Sequence, residues 1–290
     1  MQRLLYIIIY PALWFTSVLP MSILYIKSSV LYQLTYHIFG YRKKVVFENL
    51  KLAFPSKTEA ERTQIAKGFY KHLCDLIFET IKSLTISENQ IRKRFTIENI
   101  ELLEKLYNNN RSILLMAGHY GNWEWSGIVN KMMQHQGFAV YKPLDNKQFD
   151  SLVKKIRSRF GATIVPNTRI TKVLYRYKKE ETTTLTYILS DQTPRPDAFK
   201  HREDFMGINV PVFTGTEELA KLLDFTLLYF KVEKVKRGYY KATFVPVSEN
   251  PKEDTDYKNT RKFLDLLEAQ IKEEPAYYLW SHKRWKHRGK

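Results

Sequence analysis

From residue 111 onward, short apolar segments alternate with amphipathic ones, and this alternation limits most strongly how the chain can fold. The composition of a buried strand is found in four of these segments: 111–118, 138–141, 162–166 and 184–190. Apolar residues at helical spacing occupy the segments between them: 122–133, 147–159 and 168–179. Alternating strands and helices require crossover connections. We therefore predict a single α/β domain whose mostly parallel, mixed sheet is flanked by helices.

The flanking regions complete this outline. Residues 56–106 have one apolar face at three- and four-residue spacing and are predicted to be helical. Thr214-Gly215-Thr216-Glu217 has capping-box spacing and predicts a helix start. Two strands that pair with each other and a last helix are predicted near the C-terminus: 225–235, 239–247 and 257–273. We divide the chain into a membrane anchor (1–27), a helical region packing on the core (28–110) and an α/β core with a basic tail (111–290).

Residues 4–26 contain no charged side chain. A continuous helix of this length, at about 1.5 Å per residue, crosses a hydrocarbon core of about 30 Å. Pro11 and Pro20 each remove a backbone donor, so the alternative is two short helices lying in the membrane interface. We expect an uncleaved anchor, because the apolar run is long and no small-residue cleavage site follows it. The basic residues after it place the body of the protein in the cytoplasm.

The chain carries 47 Lys and Arg against 30 Asp and Glu, a net charge of +17. Such a surface attracts polyanions, including nucleic acids, anionic membranes and acidic proteins. No RNA-binding aromatic signature, Cys/His finger or basic zipper is present, so a membrane or acidic lipid is favoured over nucleic acid. The single cysteine, Cys74, excludes an intrachain disulfide and lies among apolar helical positions, which indicates a packed thiol.

The segment GHYGNWEW (118–125) follows a predicted buried strand, at the edge where open α/β sheets place their sites. Gly121 allows the chain to fold back, so that Glu124 contacts the imidazole of His119. A carboxylate on one ring nitrogen sets the tautomer and makes the other nitrogen a better base. The alternative is a histidine that caps a turn beside aromatic rings. A zinc site lacks a third ligand at suitable spacing.

This segment resembles the His-x4-Asp/Glu motif of the lysophospholipid acyltransferase superfamily, and is closest to its bacterial lipid A late acyltransferases, the lauroyl and myristoyl transferases. Four further segments resemble blocks of that family in the same order: RSRFG (157–161), SDQ (190–192), FMG through PVFTGT (205–216) and LWSHKRWK (279–286). The resemblance therefore covers nearly the whole chain. The pair Asp191-Gln192 departs from the acidic-His pairing of the best-known lipid A enzymes, which weakens the assignment of the acceptor.

The resemblance implies direct transfer of a fatty acyl group from an acyl-acyl carrier protein thioester to a hydroxyl of a lipid A precursor. It implies no covalent intermediate, no cofactor and no metal. His119 would be the general base, with Glu124 orienting it. Arg159, or its neighbour Arg157, would stabilise the oxyanion, and Asp191 would organise the pocket or cap a helix. We expect a second set of residues to bind the substrate: Gly121, Asn122, Arg157 and Gln192.

Location and partners follow from the same resemblance. We expect the enzyme on the cytoplasmic face of the bacterial inner membrane, with an acidic carrier protein and an anionic leaflet facing its basic surface. Trp280 and Trp285 either dock at the bilayer or pack on the core. The competing hypotheses are the same chemistry on another lipid, such as an aminolipid or a mannosylated glycolipid, a catalytically silent module that binds anionic lipid, and nucleic-acid binding.

Overall fold

A seven-stranded sheet forms the centre of the protein. The computed structural model describes residues 2–195, 197 and 199–289, without the side chains of residues 2–5. The strand order is β1-β9-β8-β2-β5-β3-β4, and every neighbouring pair is parallel except β8 and β9. The strands are β1 (Phe95–Ile97), β2 (Ile113–Ala117), β3 (Gln136–Tyr141), β4 (Thr163–Pro166), β5 (Thr184–Leu189), β8 (Thr226–Lys236) and β9 (Tyr239–Ser248). The predicted α/β fold with a mostly parallel sheet is confirmed.

Helices cover both faces of the sheet. They are α1 (Gln2–Val18), α2 (Met21–Tyr32), α3 (Lys43–Ala53), α4 (Glu59–Lys82), α5 (Glu88–Arg94), α6 (Glu101–Asn108), α7 (Lys147–Arg157), α8 (Ile170–Lys179), α9 (Gly215–Leu223) and α10 (Lys258–Glu273). All five residues of β2 are buried, and alternate side chains enter opposite cores. Leu114 joins the core beneath α8, α9 and α10, whereas Leu115 joins the core beneath α5 and α6. Burial on both faces explains why β2 is continuously apolar.

Several local predictions need correction. The segment 122–133, predicted to be helical, contains the 3-10 helix Trp125–Lys131, and a short antiparallel hairpin of β6 (Arg202–Phe205) and β7 (Ile208–Pro211) was not predicted. Strand β1 lies within the region predicted to be helical, and it pairs with β9. The capping box at residues 214–217 does not form, because Glu217 is buried and accepts hydrogen bonds from the backbone and hydroxyl of Thr260.

The apolar N-terminal segment is not one continuous helix. Helix α1 ends at Val18, and Pro20 precedes α2, as the interfacial alternative requires. The ammonium of Lys82 donates to the carbonyls of Ser17 and Leu19, both at 2.9 Å, so the break is tied to the end of α4. In the part of the chain that the structure describes, no helix combines the length and apolar character needed to span a membrane. The predicted anchoring helix is therefore not supported.

The C-terminal segment belongs to the core. Trp280 and Trp285 are 0% and 1% exposed and stack on each other with their ring centroids 6.0 Å apart. Of the two alternatives for these rings, packing on the core is the one observed. Their burial brings residues 277–285 against the loop that follows β2, which matters for the site described next.

Candidate active site

His119 and Asp191 occupy matching positions beyond two adjacent parallel strands. Ala117 at the end of β2 pairs with Leu189 at the end of β5. Each of the two polar residues lies two positions beyond this pair, so the sheet register alone brings them to one edge. The Nδ1 of His119 lies 2.7 Å from Oδ1 of Asp191. The side chain of His119 is 16% exposed and that of Asp191 only 2%, so the imidazole is the member that a substrate reaches.

The charge state of Asp191 suits this contact. Burial by itself disfavours the carboxylate, but the charge of His119 and the hydrogen bonds from its ring and backbone hold the pKa of Asp191 below its usual range. An ionised carboxylate accepts the Nδ1 proton, which leaves the lone pair of the ring on Nε2. The amide nitrogen of Gln192 lies 3.2 Å from that Nε2 and donates to it. Gln192 thus contacts the ring nitrogen that does not face Asp191.

The loop that carries His119 is held by backbone contacts and small residues. A side chain at Gly118 would come within 2.7 Å of Leu267 on α10, and Gly121 has a φ of +59°, which favours glycine. The amide of Gly121 donates to the carbonyl of Tyr277 at 3.0 Å, and the amide of Leu279 donates to the carbonyl of His119 at 3.1 Å. The C-terminal segment therefore fixes the orientation of the imidazole.

Asn122 also holds the loop rather than facing a substrate. Its amide donates to Glu79 of α4 at 2.7 Å, and its carbonyl accepts from the backbone of Trp125 at 2.9 Å. Asn122 is 0% exposed and Gly121 is also buried, so both lie inside the protein, and their predicted part in substrate binding stays a prediction. Their physical role is to position the turn between β2 and the 3-10 helix.

Glu124 does not orient His119. Its carboxylate forms a bidentate ion pair with Arg157, with Nε at 3.0 Å and Nη2 at 2.5 Å, and accepts from the indole of Trp123 at 3.2 Å. The predicted contact with the imidazole is wrong because Asp191 occupies that position. Burial disfavours the charged guanidinium, but the carboxylate of Glu124 raises the pKa of Arg157. Among the described residues, Nη1 of Arg157 has no hydrogen-bond acceptor, so its protons are available.

Arg159 lies outside this group. It is exposed, donates to the carbonyl of Ser83 at 2.6 Å and packs over the ring of Phe160. Helix α7 ends at Arg157, so Arg159 lies in the turn beyond it, and its guanidinium contacts Ser83 and not Glu124. Of the two arginines proposed as oxyanion ligands, only Arg157 lines the cleft next to Trp123 and Glu124.

That cleft is largely apolar. It holds about 600 Å³ of space, its open mouth included. Aliphatic and aromatic side chains from the sheet and the 3-10 helix form most of its wall, among them Leu115, Val129, Phe138, Leu185, Tyr187 and Leu189. Trp123 links the cleft to the base, since its ring lies 5.2 Å from the ring of His119. The lining is apolar, with the Glu124–Arg157 pair at one side.

Three residues of the C-terminal segment surround Asp191 and were not predicted to act there. Tyr278 and Arg284 are 2% and 1% exposed, and both interact electrostatically with the carboxylate of Asp191. His282 accepts a hydrogen bond from the backbone of Thr193 at 3.2 Å, and burial lowers its pKa to about 4. His282 and Arg284 lie in the segment 279–286 that resembles a family block, whereas Tyr278 lies just before it; only the packing of the C-terminal segment places all three near Asp191.

The chain is similar to known proteins over nearly its full length. Residues 2–287 match the family model for bacterial lipid A biosynthesis acyltransferases. The lipid A biosynthesis lauroyltransferase of Escherichia coli K12 is 26% identical over 278 residues, which cover 95% of this chain and 89% of the relative. The palmitoleoyltransferase of the same strain is 24% identical over 249 residues (85% and 79%), and its myristoyltransferase 22% identical over 246 residues (83% and 74%).

Proposed function

Because this chain belongs to the bacterial lipid A biosynthesis acyltransferase family, we propose that it transfers a fatty acyl group from an acyl-carrier-protein thioester to a hydroxyl of a lipid A precursor, with His119 as the general base. Membership of the family makes the chain an O-acyltransferase of lipid A biosynthesis. The donor, the base and the mechanism are our proposal. The observation that carries it is the 2.7 Å contact between His119 and a buried Asp191 beside an apolar cleft.

The proposed reaction uses both nitrogens of the imidazole. Asp191 holds the Nδ1 proton, and Nε2 takes the proton of the acceptor hydroxyl as its oxygen attacks the thioester carbonyl. The tetrahedral oxyanion then collapses, the carbon–sulfur bond breaks, and the imidazolium returns the proton to the departing thiolate. No Ser or Cys nucleophile is needed, so no acyl-enzyme forms. Gln192 donates to the same Nε2 and must release it when the hydroxyl arrives.

Arg157 is the residue we propose as the oxyanion donor. Arg157 lines the cleft, and its Nη1 has no acceptor among the described residues. A fixed donor of this kind stabilises developing charge more than solvent does. Glu124 acts through Arg157, because its carboxylate fixes the direction of the guanidinium plane. The His-x4-Glu spacing then combines a base and a positioning residue, and Arg159 takes no part.

We also propose that the protein works against the cytoplasmic face of the inner membrane. Exposed apolar side chains are concentrated on α1 and α2, among them Ile7, Ile8, Trp14, Phe15, Val18, Ile23, Ile26 and Val30. Short helices with such a face lie in the interface, held by buried apolar area and by attraction of basic residues to anionic lipid. The acceptor lipid would then reach the site without leaving the membrane.

The base is tested by His119→Ala, assayed with an acyl-carrier-protein thioester and a panel of lipid acceptors. We expect kcat to fall by about 10³-fold, since general-base catalysis contributes about 10²- to 10⁴-fold. His201→Ala is the matched control, because that histidine pairs with Glu203 at the β6–β7 hairpin. Unchanged acylation by a folded His119→Ala protein contradicts the proposal.

The acceptor is tested separately, by mass spectrometry of lipids from a deletion strain. Loss of one acyl chain from lipid A is the expected result. An intact lipid A together with a change in an aminolipid or glycolipid assigns the same chemistry to another acceptor. The two experiments are independent, since the first tests the base and the second tests the substrate.

A further inference from the structure

A second cleft lies between α2, α4 and the β8–β9 hairpin, and it shares no lining residue with the apolar cleft beside His119. It holds about 1030 Å³ of space, its open mouth included. Three cationic side chains line it: Lys71, Lys234 and Arg237. Asp75 is the one carboxylate among its described lining residues, which leaves two positive charges without a counter-charge at this place.

Two of these cations, Arg237 and Lys234, are held in place, whereas Lys71 is exposed to solvent. Arg237 donates to both oxygens of Asp75 at 3.0 Å, and its guanidinium lies 4.5 Å from the ring centre of Tyr25. Lys234, only 8% exposed, lies 3.5 Å from Asp75 and 5.2 Å from the ring centre of Tyr277. Positions fixed in this way are typical of a binding site, whereas solvated surface lysines move freely.

Donors remain free at the mouth of the cleft. Among the described residues, no carboxylate lies within ion-pair distance of Lys71, whose ammonium rests 5.6 Å from the ring centre of Tyr32. Nη1 of Arg237 likewise has no acceptor within the described part of the chain. The side chain of Gln33 also lines the cleft. His72 adds no charge, because burial and the neighbouring Lys234 lower its pKa to about 3.

An apolar hollow continues from this cleft along α2. Ser29, Gln33 and Arg237 line both spaces, and the hollow adds Ile26 and Val30, which are 66% and 55% exposed. A ligand that fills both spaces combines an anionic group with a hydrocarbon part. A phosphate accepts well from guanidinium and ammonium donors, and acyl chains match the isoleucine and valine.

We propose that this cleft binds the phosphate group of an anionic lipid, with Lys71 and Arg237 as its ligands and Ile26 and Val30 beside the acyl chains. The site is distinct from the catalytic centre. The two are connected through His72, whose Nε2 lies 3.1 Å from the carbonyl of Gly121, in the loop of His119. The proposal goes beyond acyl transfer and does not require it.

The test is calorimetric titration of the full chain in neutral detergent with dihexanoyl phosphatidic acid below its micelle concentration. We expect binding to the wild type, no binding of dihexanoyl phosphatidylcholine, and at least tenfold weaker binding to Lys71→Gln and to Arg237→Gln. Lys71→Gln is the more informative variant, because no described carboxylate loses its partner. Lys179→Gln is the matched control, since that exposed lysine lies on α8 and contacts only the ring of Tyr175.

Competition with inorganic phosphate tests whether the anion bound in this cleft is a lipid headgroup or a free phosphate ion. Weak displacement at millimolar phosphate supports a lipid headgroup, because the hydrocarbon part then contributes to affinity. Equal affinity for inorganic phosphate and for the lipid overturns the lipid assignment. Equal binding of phosphatidic acid to wild type and Lys71→Gln overturns the site altogether.

Discussion

His119 contacts two neighbouring residues that differ in charge, and this difference separates their roles. Asp191 carries a full negative charge and is almost completely buried, so its hydrogen bond to Nδ1 is strong and fixed. Gln192 is neutral and contacts Nε2 at 3.2 Å, the nitrogen that must be free to accept a proton. A charged partner stabilises the imidazolium that forms in the transition state, and a neutral donor does not.

Asp191→Asn should lower kcat by about 10²-fold or more, because the imidazolium loses its counter-charge and the tautomer is no longer fixed. Gln192→Ala is the matched control, since it touches the same ring but removes only a neutral hydrogen bond. Such a bond is worth about 1 kcal/mol, so we expect a change of about tenfold or less. Steady-state kinetics over a pH series measures kcat for both variants. Equal losses of kcat in the two would refute the different roles given to Asp191 and Gln192.

Glu124 and Arg157 should behave as a coupled pair that acts independently of the contact between His119 and Asp191. A double-mutant cycle of Glu124→Gln and Arg157→Gln, followed by denaturant unfolding, should give a coupling of about 1–3 kcal/mol. Glu124 contacts the guanidinium of Arg157 and not the imidazole of His119. The kcat of Glu124→Gln should therefore fall at every pH, while the shape of its pH–rate profile stays the same. A shifted pH profile would mean that Glu124 acts on His119 after all.

At the scale of elements, α1 and α2 differ from the other helices in what they expose. Ile8 and Phe15 are each 67% exposed and Trp14 is 43% exposed on α1, and Ile26 on α2 is 66% exposed. The break at Pro20 is held by Lys82, so the two helices present this apolar surface together. Apolar area of this kind is stable in an interface and costs free energy in water.

Ile8→Glu combined with Phe15→Glu should reduce binding to anionic vesicles by at least tenfold, since each large apolar side chain contributes about 1.5–3 kcal/mol when buried. Leu222→Glu is the control, because Leu222 is 61% exposed on α9 and lies apart from the N-terminal helices. Vesicle co-sedimentation is the measurement, and the melting temperature verifies that the variants fold. Undiminished binding by the double variant would exclude this face as the contact.

At the scale of the whole molecule, buried histidines make stability depend on pH. Burial lowers the pKa of His72 to about 3 and that of His282 to about 4. An unfolded histidine titrates near 6.5, so below that pH the unfolded chain binds protons that the folded chain does not. Stability therefore falls as the pH drops from 6.5 towards these lower values.

Each of the two histidines should remove about 1.5 kcal/mol of unfolding free energy between pH 6.5 and 5. Denaturant unfolding of the wild type and of His72→Gln at several pH values measures this. We expect a shallower pH dependence for the variant, although its stability at pH 7 is lower because the contact with Gly121 is weakened. The same slope in both proteins would show that His72 does not titrate on unfolding.

Local pattern was enough to predict the main elements and to place His119 directly after a buried strand. The five consecutive apolar residues Ile113–Ala117 form a run too short for a typical helix and are followed by Gly118, which favours a buried strand that ends at the sheet edge. The paired C-terminal strands are just as clear. Strand β1 and the β6–β7 hairpin were missed, because three or four residues carry too little periodicity to separate helix from strand.

The sequence by itself determined the α/β class, the strand before His119 and the family resemblance, because these depend on the order and spacing of side chains along the chain. Only the tertiary structure decided that Asp191, 72 positions away, and not Glu124, five positions away, contacts the imidazole. Strand order is a property of the sheet, where hydrogen bonding places β5 beside β2. Closeness in the sequence does not bring Glu124 to the imidazole, because the sheet register decides which residues meet at this edge. Glu124 instead pairs with Arg157 and neutralises its charge in the half-buried cleft.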